Sequence, residues 1–375
     1  MIENPFILEP YKSKELFCDR EKECSTILSY LNNGRNVTLI SPRRLGKTGL
    51  IRRIFDEIYL TGQRFDTIYA DISASQSIED FIKILSAAVA ESVYRKNKVT
   101  DFLKSLGGIR PLIGIDELTG KPQLTFTFRA EEEKVLTIKA LFDCLEKNKK
   151  QVILAIDEFQ QIREYSGVNM EAVLRSYIQP LRNVRFIFSG SKKHVMTDMF
   201  SNARNPFYES TTFVSLEKLD RSIYGSFIQH LFNQYGKEIS PNLVQQMIVW
   251  SEGYTYYTQA LCNEVFLRSG DSVTSEDVKG AKQAILSLNR DRFLELQRLS
   301  TRGQWKLLKA IALEGEVQQP TGEYFLKKYG LPSGSSVLKT MKALIEKELV
   351  LATPTEQGVT YCVYNIFLKR YLESL

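Results

Sequence analysis

Short runs of consecutive apolar residues alternate, along the first half of the chain, with longer segments whose apolar residues return every three or four positions. Val37 to Ile40 is one such run, Phe65 to Asp71 a second, Gln151 to Asp157 a third and Val184 to Ser191 a fourth. Residues apolar at successive positions predict strands buried on both faces, as in a parallel sheet covered by helices. Asp19 to about Leu31, Gly49 to Leu60, Ser77 to about Tyr94 and Lys134 to Asn148 carry the helical period. Strand and helix in turn predict an α/β core. About 109–128 breaks the rhythm. Two strand-like runs there flank Glu117-Leu-Thr-Gly120, which predicts a hairpin with glycine in its turn, inserted outside the core sheet. Such an insertion is either a plain decoration or a carrier of specificity.

After Val214 the alternation stops. Asp220 to about Phe232, Pro241 to Trp250, Tyr256 to Arg268 and Ser275 to Leu286 read as helices. Ser240 before Pro241 supplies a cap and a first helical turn. From about Thr301 the pattern changes again. Gln304 to Leu313, Thr321 to Tyr329 and Ser335 to Leu349 predict helices, with Gly330-Leu-Pro-Ser333 turning into the last. Its apolar residues Val337, Leu338, Met341, Leu344 and Ile345 are placed on one side. Val350 to Thr353 and Val359 to Tyr364 predict strands around Glu356-Gln-Gly358. Three helices and a β-wing describe a winged helix-turn-helix. The expected boundaries are 1–215 for the α/β core, 216–300 for a helical lid and 301–375 for the winged helix.

Chemistry concentrates where the predicted strands end. Ser41-Pro-Arg-Arg-Leu-Gly-Lys-Thr48, followed by Gly49, joins the first strand to a helix. A loop of this kind, feeding a helix N-terminus, cradles phosphates with backbone N–H groups. Ser41, Pro42, Arg43, Arg44, Leu45, Gly46, Lys47, Thr48 and Gly49 are the candidate nucleotide-binding residues. Lys47 would reach the β- and γ-phosphates and Thr48 would hold Mg²⁺. The usual pattern opens on glycine where this chain has Ser41, so the turn is either strained or different there. The third strand ends in Asp157-Glu158, where α/β proteins bind ligands. Asp157 is the second expected metal residue, and Glu158 the residue that polarises the attacking water. The fourth ends in Ser189-Gly-Ser191. Either serine is a candidate for contact with the γ-phosphate or the water, Ser191 being preferred as catalytic; the plainer alternative is a cap for the next helix.

These residues, with Asn4-Pro-Phe6, Asp19-Arg-Glu-Lys-Glu23, Pro42-Arg-Arg44 and Asp157-Glu-Phe-Gln160, make the chain resemble the prokaryotic AAA-type P-loop ATPases of the STAND-related "archaeal ATPase" group. Ser189-Gly-Ser191 resembles that group's sensor segment, Asn205-Pro-Phe-Tyr208 its Pro-Leu-Tyr-Gly-Arg segment, and Ser251-Glu-Gly-Tyr-Thr-Tyr-Tyr257 its Gly-x-Pro-Tyr-Tyr segment. The resemblance implies ATP and Mg²⁺ bound between core and lid, with Phe6, Ile7 and Asp19 to Glu23 lining the adenine. Three departures stand out. Ser41 replaces glycine, Thr255 replaces proline, and Glu209-Ser210 follows Tyr208 where Gly-Arg is expected. The arginine-finger role at that position therefore has no arginine, with Arg204 the nearby substitute.

Composition narrows the alternatives. At 375 residues the chain exceeds one comfortable core. No apolar run approaches the roughly 20 residues that span a bilayer, and the N-terminus lacks a signal pattern. The 5 cysteines are scattered, which implies reduced thiols and a cytoplasmic setting. Only His194 and His230 exist, which argues against a histidine metal site. The formal charge of +6 is compatible with nucleic acid without requiring it. Arg52 and Arg53 read mainly as a solvated helix face. The last helix offers Ser335, Lys339, Thr340, Lys342 and Lys347 to duplex DNA, while Glu346 and Glu348 dilute that charge. Three readings follow: a DNA-associated ATPase, a protein-contacting signalling or defence switch that self-associates on ATP, and a nucleotide-bound scaffold. None involves a membrane.

Overall fold

The computed structural model describes residues 3–62, 64–94, 112–115, 122–128, 130–356 and 358–375. They fall into two compact units, Glu9–Lys218 and Met1–Leu8 with Leu219–Leu375.

In the first unit, α1 (Glu21–Asn32) leads into β1 (Val37–Ile40), α2 (Lys47–Leu60), β2 (Phe65–Asp71) and α3 (Ile78–Tyr94). Then come β3 (Leu112–Ile115), β4 (Pro122–Thr125), α4 (Glu131–Glu146), β5 (Gln151–Asp157) and a 3-10 helix, Phe159–Glu164. The unit closes with α5 (Met170–Ile178), β6 (Val184–Gly190), α6 (Lys193–Ser201) and β7 (Thr212–Ser215). Five strands form a parallel sheet in the order β2-β5-β6-β1-β7. The apolar run of β5 is consumed as expected, Val152 to Ile156 all being buried. Strands β3 and β4 pair antiparallel apart from this sheet; the expected turn at Glu117–Gly120 lies outside the described residues.

The core beside β5 and β6 is aromatic. Phe159 packs on Phe188 with ring centroids 4.4 Å apart and on Phe207 at 5.4 Å, and Phe200 and Phe186 extend the cluster. Phe159 and Phe207 belong to two of the segments that carried the family resemblance, so those segments are partly core. Glu209, standing where the group has glycine, adopts a left-handed φ of 48°. The backbone turn survives the loss of glycine at a cost of about 1–2 kcal/mol.

The second unit contains α7 (Arg221–Gln234), α8 (Pro241–Trp250), α9 (Thr255–Arg268), α10 (Ser275–Leu288) and α11 (Arg290–Arg298). Beyond these lie α12 (Arg302–Glu314), α13 (Glu323–Lys328), α14 (Gly334–Glu346), β8 (Val350–Thr355), β9 (Gly358–Val363) and α15 (Ile366–Glu373). Ser240 caps α8 by accepting the Leu243 N–H. Thr255, where proline is usual, is the first residue of α9, a position proline suits because its missing N–H has no partner there. Phe6 is fully buried here against Phe232 at 4.7 Å and Phe266, so its ring is spent in the core and does not serve as a free adenine wall. Tyr257 is likewise core, against Phe367 at 4.8 Å.

Strands β8 and β9 pair antiparallel beside α14, the helices and wing of a winged helix. One detail departs from the sequence pattern. Val337, Met341 and Leu344 are buried, but Leu338 is 54% exposed, because one residue turns it about 100° off the buried stripe. All five cysteines are free thiols. Among the described residues no helix is long and apolar enough to cross a membrane.

Candidate active site

The loop after β1 and the ends of β5 and β6 meet because those strands are neighbours through β6, with Ile40 level with Gly190 and Ile156 level with Phe188. In the loop, Gly46 takes φ 92° and Arg44 φ 72°. No atom stands within 4 Å of where a Gly46 Cβ would be, so dihedral freedom and not space selects glycine there. Ser41 is not among the residues with positive φ. Its buried hydroxyl donates to the Pro42 carbonyl at 2.9 Å, so serine is accommodated without left-handed strain. No side chain caps the N-terminus of α2, which leaves that end open for an anion.

Lys47 is buried, and its ammonium donates to the Ser41 carbonyl at 3.1 Å. Burial lowers its pKa, while Glu158 and Asp157 push the other way. Thr48 donates to Asp157 Oδ2 at 2.7 Å. The same oxygen accepts the Tyr69 hydroxyl, also at 2.7 Å. Burial and the Asp157 carboxylate raise the Tyr69 pKa and hold its proton in place. Tyr69 was not singled out in the sequence; the only signal was its place near the end of the predicted second strand, and its neighbour β5 is known only from the sheet.

Glu158 has φ 56° and is fixed by two donors. Ser191 gives its hydroxyl to Glu158 Oε2 at 2.6 Å, and the Gln160 amide reaches the same oxygen at 2.5 Å. Arg43 Nε in turn lies 3.3 Å from the Ser191 hydroxyl. Ser189 is fully buried inside β6 and its hydroxyl has no hydrogen-bond partner among the described residues. Of the two candidate serines, Ser191 is thus the one brought to the acid. A Cβ at Gly190 between them would stand 2.4 Å from Gln160 Oε1 and 2.5 Å from the Met196 side chain, so a larger residue there makes the Gln160 that holds Glu158 move.

Lys47, Thr48, Asp157, Glu158 and Ser191 therefore converge, with Arg43 at the edge and Ser41, Pro42, Arg44, Leu45 and Gly46 forming the loop. Gly49 faces elsewhere: its Cβ would meet the Pro10 carbonyl at 2.4 Å, so its placement answers to packing. Arg204 sits exposed in the turn after α6. Arg53 corrects the expectation of a solvated face. It is 3% exposed, donates to the Asp19 carbonyl at 2.7 Å and to Glu21 at 2.6 Å, and lies over the Phe17 ring. Arg52 is exposed and covers Tyr69, 4.1 Å from the ring centroid. Among the described residues no cluster of three or more His, Cys, Asp or Glu side chains could hold a metal alone. The donor set of one hydroxyl and one carboxylate suits Mg²⁺, which takes few protein oxygens and completes its shell with water and phosphate.

The architecture and site agree with comparisons to known proteins. A family model for an ATPase domain predominantly from Archaea matches residues 17–257, and one for a probable winged helix domain matches residues 291–374. The chain belongs to this archaeal-type ATPase family. It is a nucleotide-binding ATPase with a parallel α/β core and a C-terminal winged helix. Its fold is similar to that of the Walker-type ATPase PABY2304 of Pyrococcus abyssi, at 19% identity and a TM-score of 0.68, with 98% of this chain and 99% of that one covered. It is also similar to the Aeropyrum pernix ORC2 protein solved with ADPNP and ADP, at 15% identity and 0.60, covering 99% and 96%. The Aeropyrum pernix ORC1 protein solved in complex with DNA gives 14% and 0.56, covering 99% and 96%. A comparison with curated proteins finds no match.

Proposed function

We propose that the chain is a Mg²⁺-dependent ATP switch whose turnover is slow and regulated. Lys47 binds the β- and γ-phosphates, Thr48 and Asp157 hold Mg²⁺, and Glu158 orients and polarises the attacking water. Ser191 and Gln160 position that carboxylate. Bound Mg²⁺ supplies charge neutralisation at the phosphates; the side chains supply placement, which is most of what phosphoryl transfer needs. The observation that carries this reading is the convergence of Lys47, Thr48, Asp157, Glu158 and Ser191 at the carboxyl ends of neighbouring strands.

Two features favour slow turnover. The Lys47 ammonium is engaged by the Ser41 carbonyl and must be released to reach phosphate. Ser210 stands where the group carries arginine, so stabilisation of transition-state charge has to come from another residue or another molecule. Regulation through the winged helix is the second part of the proposal. Lys339 and Lys342 are exposed on α14, and a relative of similar fold was solved with DNA, which favours duplex DNA as the trigger. Exposed Leu338, lining a cavity of about 370 Å³ with Pro320, Val359 and Tyr361, favours the alternative of a protein contact that drives ATP-dependent assembly.

ATP hydrolysis by the wild type and Glu158→Gln, each with and without duplex DNA, tests the reading. Activity lost in Glu158→Gln and raised by DNA in the wild type supports the DNA-triggered switch. Activity lost in the variant but indifferent to DNA transfers the proposal to the protein-triggered switch. Wild-type rates in Glu158→Gln would refute the assignment of the acid.

A further inference from the structure

A groove of about 430 Å³ opens between α8, α10 and α15, away from every residue assigned above. Its walls include Gln245, Gln246, Val249, Trp250, Lys282 and Arg370. The two cations there differ in kind. Arg370 is answered: it donates to both Glu373 oxygens at 2.9 and 2.8 Å, to Glu252 at 3.3 Å and to the Trp250 carbonyl at 2.9 Å. Lys282 is not. It is half-buried, its ammonium lies 5.9 Å from the centre of the Trp250 ring, and no carboxylate pairs with it among the described residues. Burial and then the Arg370 charge lower its pKa.

A half-buried ammonium beside a second cation, with the Trp250 ring but no carboxylate against it among the described residues, loses hydration that the bare fold does not fully replace. Sites that break a local rule in this way are where ligand binding is expected to repay it. One unanswered positive charge is too little for a polynucleotide, whose backbone requires several lysines or arginines along its track. The rest of the groove suits a peptide. Val249 is 56% exposed and Trp250 presents partly exposed apolar surface beside it, while Gln245 and Gln246, whose amide nitrogens reach the Arg221 carbonyl at 3.5 Å and Asn242 Oδ1 at 3.3 Å, each keep an amide oxygen for a peptide N–H. We propose that this groove binds an acidic peptide segment, placing one carboxylate on Lys282 and an adjacent apolar side chain on Val249 and Trp250.

The inference is independent of the nucleotide site and is tested on the full chain. Trp250 and Trp305 are the 2 tryptophans, so a Trp305→Phe background makes emission report Trp250. The probes are a blocked hexapeptide of alternating leucine and glutamate, its leucine–glutamine counterpart, and an oligothymidylate. A saturable shift with the acidic peptide is expected, weakened tenfold or more with the neutral peptide or in Lys282→Glu. Lys282→Met is expected to melt no lower than its parent, since it removes an unanswered charge. The proposal is overturned by the absence of a saturable shift, by equal binding of the neutral peptide, or by tighter, Lys282-dependent binding of the oligothymidylate. A lowered melting temperature in Lys282→Met would overturn it too, since the lysine would then serve packing on Trp250.

Discussion

Ser191→Ala is the most decisive perturbation of the site, because it separates two ways in which a hydroxyl at the end of β6 can act. One is direct contact with the γ-phosphate or the water, the role suggested by the sensor-like segment. The other is orientation of the acid, the role its geometry favours: the hydroxyl is spent on Glu158 Oε2 at 2.6 Å. A hydrogen bond to an ionised group is worth about 1.5–3 kcal/mol. Glu158 is only half-buried and keeps the Gln160 bond, so the lower end applies, about 1.5 kcal/mol. With each 1.36 kcal/mol worth a factor of ten, kcat should fall about tenfold in Ser191→Ala, with KM for ATP nearly unchanged. Single-turnover hydrolysis in the wild type, Ser191→Ala, Glu158→Gln and the double variant then forms a cycle. If the serine acts through the acid, Ser191→Ala costs little once Glu158 is already glutamine. The same tenfold loss in both backgrounds would refute that argument and return Ser191 to the phosphate.

Arg53→Met breaks bonds from a buried guanidinium to the Asp19 carbonyl and Glu21; at about 2 kcal/mol it should lower Tm by about 4–8 °C, whereas Arg52→Met should cost less than half as much. Calorimetry of the pair checks this, and equal small shifts would restore the solvated-face reading. Asp198 accepts from Arg163, Asn202 and Asn205, and those bonds, that from Asn202 foremost, lower its pKa from 3.8 to about 2. A carboxyl whose folded pKa is depressed stabilises above its unfolded pKa, so the contribution is full above about pH 4 and is lost as pH falls through about 2. Urea unfolding of the wild type and Asp198→Asn should therefore differ at pH 7, the difference shrinking as pH falls from about 4 through about 2.

What the sequence disclosed and what it withheld divide along physical lines. β1, β2, β5 and β6 were legible because burial on both faces leaves uninterrupted apolar runs, and α8 because Ser240-Pro241 marks its start. The last helix, α15, was not read as a separate element. The short α5 and α6 and the edge strand β7 were also missed: β7 alternates exposed and buried residues over only Thr212–Ser215, too few for a period to register. At the site, the positions of Lys47, Thr48, Asp157 and Glu158 were readable from residue type and spacing, and the structure brings these residues together; their roles are those proposed. Tyr69 was not, since its role depends on β2 lying beside β5, which no local pattern encodes. Arg53 was misread for a similar reason: on the helix alone it is a surface arginine, and only the return of Phe17 to Glu21 over α2 buries it.

That return also bears on how the proposed switch would work. α2 carries Lys47 and Thr48 at its first turn and Arg53 less than two turns on. Arg53 holds the carbonyl of Asp19, which with Arg20 adopts left-handed φ values of 56° and 76°. Gly49 admits the Pro10 carbonyl against the same helix. The N-terminal segment of this unit is therefore fastened to the helix that carries Lys47 and Thr48 by the Arg53–Glu21 ion pair, by the Tyr11 hydroxyl donating to Asp56 at 2.7 Å and by a contact that glycine permits at position 49. Non-glycine residues in left-handed conformation each cost about 1–3 kcal/mol and persist where their surroundings over-determine them. Arg44 and Glu158 are two more, one in the loop and one at the acid. Under the proposed function, a nucleotide that drew Lys47 from the Ser41 carbonyl would act on a helix whose far contacts hold the left-handed Asp19 and Arg20. A shift of α2 would then reach the Asp19–Arg20 turn through the bond from Arg53 to the Asp19 carbonyl.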